Sequence, residues 1–214
     1  MDAQKLDLEP KYWDRIFAPS SCLAVITTCD ENGTPNAASY GTCTRVKHDP
    51  VYIAFAAEAW NDTMANLRSV PQFVVNLPRF DQGILSKVLT VGMPFARGVN
   101  ELEKAGLTGI DAKLVRPLRV ADCPRHFECE VEWTKEWDGR VMVCGKVVAV
   151  SVDADCVDAD NYVVWDRVKS AHFCGAPYGN RFVAAYEDMA AEPNYDGPER
   201  EAYDEMARRA LGEA

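Results

Sequence analysis

Residues 35–46 read PNAASYGTCTRV, a run of small side chains in which amides and hydroxyls recur. This stretch decides the fold. Residues 22–29 (CLAVITTC) precede it and are apolar and β-branched, as a buried strand should be. Between the two lies Asp30-Glu31-Asn32-Gly33, whose Asn-Gly pair is a strong hairpin signal. The two runs therefore pair as a hairpin. Asp49-Pro50 breaks the chain, and residues 51–57 form a third strand.

The pattern continues outward. Asn61-Asp62-Thr63 opens a short helix that runs to about Val70, with Asn61 or Asp62 as N-cap, Arg68 in the last turn and Pro71 as the stop. Gln72–Leu77 (QFVVNL) is a fourth strand, and residues 78–88 carry a helical pattern. Residues 89–118 are Gly-rich and irregular, with one short helix at Glu101–Ala105. Residues 127–137 alternate apolar and charged side chains, Asp138-Gly139 turns, and Arg140–Val152 returns as a long strand. A short segment at 162–168, a Gly-rich stretch at 175–180 and a polar helix from about Pro198 to Ala210 complete the chain. Strands joined by hairpins, with helices inserted, imply a mainly β domain closed into a small antiparallel barrel. We divide the chain into a lead-in (1–17), one domain (18–186) and an acidic C-terminal tail with a helix (187–214).

Composition narrows the function. The 214 residues carry 23 Lys and Arg against 33 Asp and Glu, a net charge of −10, which disfavours nucleic acid as a partner. The N-terminus lacks the basic and apolar regions of a secretory signal, and no apolar run is long enough to span a bilayer. We expect a cytoplasmic protein with no membrane partner. Eight cysteines form no CxxC pair, and three histidines show no metal-ligand spacing, so no metal site is expected. Most cysteines sit in apolar segments as buried thiols. No GxGxxG, Walker A or GxSxG motif occurs, and no catalytic constellation is visible. Any chemistry would then be a cofactor's.

The strand at 36–44 has two readings. Small residues let a flat ring approach the backbone closely, but they equally suit a strand packed under a helix. Composition alone leaves both open. The helix start at Asn61-Asp62-Thr63 adds unpaired amides and a hydroxyl, which suit an anion such as phosphate.

The ordered series PNAASYGTCTRVKHDP, a Val-rich strand, NDTMANL and QFVVNL resembles the flavin reductase-like FMN-binding family, which includes the flavoredoxins. ELEKAGLT (101–108) and GKVV (145–148) extend the resemblance, which covers roughly residues 18–185. It implies a split β-barrel with Greek-key topology, a homodimer, and FMN near the subunit interface. Carried over, Asn36 and Gly41, Thr42, Cys43 and Thr44 would line the isoalloxazine and ribityl chain, Thr63 and the helix amides would hold the phosphate, and Trp60, Asn61 and Arg140 join the cofactor-binding set. There are three departures. Relatives often carry basic residues where Trp60 and Asn61 stand, some flavoredoxin-like members carry a Lys near Glu101, and many have a His where Arg140 stands. The phosphate charge must then be met by amides alone or by an Arg from elsewhere. We expect Arg140 to supply cationic help, with a solvated Arg beside a tight turn as the alternative.

The resemblance implies an FMN-dependent oxidoreductase with no catalytic side chain, the chemistry residing on flavin N5. Electrons would come from NADH or NADPH, or pass to a redox protein partner. The alternative is a non-catalytic flavin-binding or sensing module of the same fold. Haem lacks an axial histidine here, and the acidic chain suits F420 poorly.

Overall fold

The computed structural model describes residues 5–185, then 187, 189, 191, 193, 197 and 199–210. Among these residues ten strands and six α-helices follow in chain order. The hairpin at the centre of the fold is β1 (Ser21–Cys29) with β2 (Pro35–His48), joined through the turn whose Gly33 adopts φ 86°. Strand β3 is Val51–Glu58 and β4 is Gln72–Leu77. The long pair β7 (Arg125–Trp137) and β8 (Arg140–Val152) forms the second hairpin. The sheet order β1-β2-β3-β8-β7-β4, with β4 returning to pair with β1, closes a six-stranded antiparallel barrel. The spatial order β4-β1-β2-β3 is the Greek-key arrangement.

Strand β1 is buried on both faces, which explains its unbroken apolar run. One face points into the barrel, where Ala24 and Ile26 join Phe55, Phe73 and Val143. The other packs Leu23 and Val25 against helices α3 (Gln82–Val91) and α4 (Glu101–Ala105). Tyr40, Phe55 and Phe73 form an aromatic row, with centroids 4.9 and 5.3 Å apart. Two glycines are set by crowding. A Cβ on Gly145 would lie 2.5 Å from the Phe73 ring, and one on Gly41 would lie 2.6 Å from Phe173.

Several expectations shift on the structure. Helix α3 starts at Gln82 rather than at residue 78, because Asp81 caps it through the Ile84 amide while Arg79 bridges to Ser170. The irregular stretch contains a small pair, β5 (Gly109–Ile110) and β6 (Arg119–Val120). The 162–168 segment holds the one-turn helix α5 (Trp165–Val168). Beyond it, β9 (Ser170–Phe173) and β10 (Phe182–Ala185) extend the sheet from β1, where sequence patterning indicates no strands. The C-terminal helix α6 is Glu199–Ala210. The first four residues of the lead-in and several residues of the acidic tail lie outside the described set.

Candidate flavin site

Strand β2 pairs with β1 along most of its length, but with β3 only from Thr44 to His48. Its residues 36–42 therefore have no strand on their outer edge. A bulge marks the change, since Gly41 and Thr42 together face Leu23 between the pairs Cys22–Cys43 and Ala24–Tyr40. At the bulge, Thr42 replaces the ladder with its side chain. Its hydroxyl accepts from the Ala56 amide at 3.0 Å and donates to the Ala56 carbonyl at 3.3 Å. Beyond this point β2 and β3 diverge.

The Ala37 amide faces away from β1 and donates to Glu101 Oε2 at 2.9 Å. Strand alternation then directs the Ser39 amide the same way. The open edge borders a cleft of about 850 Å³, walled by β2, the start of α2 (Asp62–Ser69), Met93, Phe95 and Phe173. That volume lies in the range of about 300–1,000 Å³ typical of small-molecule sites.

The α2 terminus is defined by Asn61. Its Oδ1 accepts from the Met64 amide at 2.9 Å, while Nδ2 donates to Tyr40 Oη at 3.0 Å. The Ala65 amide bonds the Asn61 carbonyl, so only the amides of Asp62 and Thr63 lack partners within the helix. Thr63 is 1% exposed. Asn36 Nδ2 reaches its hydroxyl at 3.4 Å and that of Thr28 at 3.0 Å, where Asn66 also donates at 3.2 Å. Thr28, Asn36, Thr63 and Asn66 thus form a buried polar floor beneath the helix start.

The cleft brings together seven of the nine residues expected from sequence: Asn36, Gly41, Thr42, Trp60, Asn61, Thr63 and Arg140. It does not bring Cys43 and Thr44. After the bulge, Cys43 turns into the barrel core, where burial pushes its thiol up to about 12. Thr44 resumes the ladder opposite Ala54 and points outward. Thr63 is part of the floor and its hydroxyl is committed to Asn36, so its amide is the group left for a ligand. Trp60 stands at the rim, 81% exposed. Arg140 pairs with Glu58, directly opposite it on β3.

Sequence reading missed Tyr40, Glu58, Arg97 and Glu101 as cleft residues. Arg97 lies in the loop between α3 and α4, and the length of that irregular stretch was the available signal, since long loops carry function. Glu101 is 6% exposed, and burial raises its carboxyl above the ordinary range against the pull of the Ala37 amide. Among the described residues, the cleft is lined by no histidine or cysteine. Away from it, Asp153, Asp155 and Cys156 cluster with the spacing of metal ligands, but the Arg79 guanidinium occupies the cluster, 3.2 Å from Asp153 and 3.1 Å from Cys156.

The chain is thus a split Greek-key barrel with a cleft along one unpaired strand edge. The chain matches the flavin reductase like domain over residues 19–172, and it belongs to that family. Among curated proteins, an uncharacterised protein of Aquifex aeolicus is 25% identical over 159 residues, covering 72% of this chain and 80% of its own. Among solved structures, the 2-nitrobenzoate 2-nitroreductase of Pseudomonas fluorescens is 24% identical with a TM-score of 0.74, over 90% of this chain and 95% of that one. Flavoredoxin of Desulfovibrio vulgaris is 18% identical with a TM-score of 0.72, over 80% and 90%. No helix among the described residues is long and apolar enough to cross a membrane.

Proposed function

We propose that this cleft binds FMN and that the chain is an FMN-dependent oxidoreductase. It would work as an NAD(P)H-dependent flavin reductase or as an electron carrier for a redox protein. The observation that carries the reading is the unpaired edge of β2 inside the cleft. An open strand edge offers alternating donors and acceptors, and a flavin ring presents a matching polar rim. Small side chains at Ala37, Ala38, Ser39 and Gly41 leave room for a flat ring against that edge. The donor set therefore fits the group. The bound flavin would supply the redox chemistry, accepting or passing electrons at N5. This chain's residues would bind and orient it. Ser39 and its neighbours would offer backbone groups to the ring, and the amides of Asp62 and Thr63 would face the phosphate.

Exposed apolar side chains on the strands, among them Val46, Trp133 and Val150, support self-association as a homodimer. Sedimentation of the purified protein tests that directly.

The function is tested on purified protein. It should show an oxidised-flavin absorption spectrum and release FMN on denaturation. Rapid mixing with NADH and with NADPH then separates a reductase, which bleaches, from a carrier or a non-catalytic binding module, which does not. A colourless protein that takes up no added FMN would remove the flavin reading.

A further inference from the structure

The cleft carries a charge problem. Among the described residues its two cations, Arg97 and Arg140, face four carboxylates, Asp14, Glu58, Asp62 and Glu101. A phosphate entering this surround needs a cation that is not already committed. Arg140 is committed, because Glu58 lies directly opposite it on the neighbouring strand and holds it in a hydrogen-bonded ion pair. No basic residue stands at Trp60 or Asn61.

Arg97 is placed differently. Its Nε lies 4.0 Å from Oδ1 of Asp62, the first residue of α2, and its side chain is 71% exposed. That separation is beyond hydrogen-bond range, and exposed pairs of this kind contribute only about 0–1 kcal/mol. The guanidinium is therefore held loosely near the side chain of Asp62, the first residue of α2. Gly98 follows at φ 84°, a left-handed conformation that turns the chain just after Arg97. The loop thus delivers a cation to the helix start from outside the motif that carries the family resemblance there.

We propose that Arg97, rather than Arg140, is the residue that binds the FMN phosphate, exchanging Asp62 for the phosphate at the start of α2; this rests on the FMN reading above. Asp62 is the competitor. It holds Arg97 in the free protein and repels the phosphate in the complex.

The test is the ratio of FMN to riboflavin affinity, measured by flavin fluorescence on flavin-free protein. Riboflavin has the ring and ribityl chain without the phosphate, so the ratio isolates the phosphate contact. Wild type should prefer FMN. Arg97→Ala should weaken FMN by about tenfold or more, the scale of a charge-assisted contact, and leave riboflavin unchanged. Asp62→Asn should strengthen FMN and leave riboflavin unchanged. Arg140→Ala should leave the ratio as it is. Because Arg97 is exposed, its loss should not disturb folding, and the riboflavin arm reports whether the cleft is intact. An unchanged ratio in Arg97→Ala, or a ratio that collapses in Arg140→Ala instead, overturns the proposal while the FMN reading stands. Wild type that binds neither flavin overturns both.

Discussion

Thr42 and Ala56 are joined by a side chain where two strands would otherwise be joined by backbone. One hydroxyl accepts from the Ala56 amide and donates to its carbonyl, at 3.0 and 3.3 Å. The contact ends the β2–β3 ladder and satisfies the last pair of β3 groups facing β2. The cleft begins where this contact leaves off.

Replacing Thr42 by Val keeps the shape and removes both bonds, leaving the Ala56 amide without its acceptor. We expect a loss of about 1–2 kcal/mol of stability in urea denaturation. Thr42→Ser, which keeps the hydroxyl, should lose much less. Equal losses for the two variants would show that the methyl group matters and the hydroxyl does not.

Gly145 tests the packing of the barrel. A Cβ there meets Phe73 at 2.5 Å and Cys129 at 3.1 Å, and both neighbours are fully buried. Gly145→Ala should therefore cost about 1–3 kcal/mol through overpacking. A variant as stable as wild type would mean that the Phe73 ring has room to move.

Glu101 makes a prediction about pH. Burial raises its carboxyl from the ordinary 4.5, Asp62 adds to the rise, and the amides of Ala37 and Glu101 itself oppose it. The folded chain thus holds this proton at pH values where the unfolded chain has released it. Stability from this group is present at low pH and lost as pH rises through the folded value. Glu101→Gln keeps an acceptor for Ala37 without the charge. Wild type should be the less stable of the two at neutral pH and above, and the gap should close as the solution is acidified toward the ordinary carboxyl value of 4.5. A gap that stays constant across that window would contradict the assignment.

The hairpins and the start of α2 were legible in the sequence because each rests on a local signal, and closure into a barrel followed from the need to cover strand edges. Asn32-Gly33 sets the first turn, Asp138-Gly139 sets the second at φ 44° and 73°, and Asn61 caps the helix as its residue type suggests. Strands β9 and β10 were not legible. They are four residues each, SAHF and FVAA, and are ordered by pairing with distant β1 and with each other. The site divides along the same line. Asn36, Gly41 and Asn61 lie in segments with strong local character, and the cleft is lined by all three. Cys43 and Thr44 were placed with them because a run of small residues does not reveal its bulge, and the bulge sends Cys43 inward. Arg97 arrives from the loop before α4 and Glu101 from the first residue of that helix; tertiary packing carries both to the cleft, and no local pattern marks that placement.

The central claim is that FMN lies along the open edge of β2. Amide hydrogen exchange, read by mass spectrometry on flavin-free protein with and without saturating FMN, tests it most directly. Without flavin, the Ser39 amide has no strand partner on its outer side and should exchange readily. Added FMN should slow exchange in residues 36–42 and at Asp62 and Thr63, and leave the β7–β8 hairpin tip unchanged. FMN that binds without protecting residues 36–42 would contradict this account.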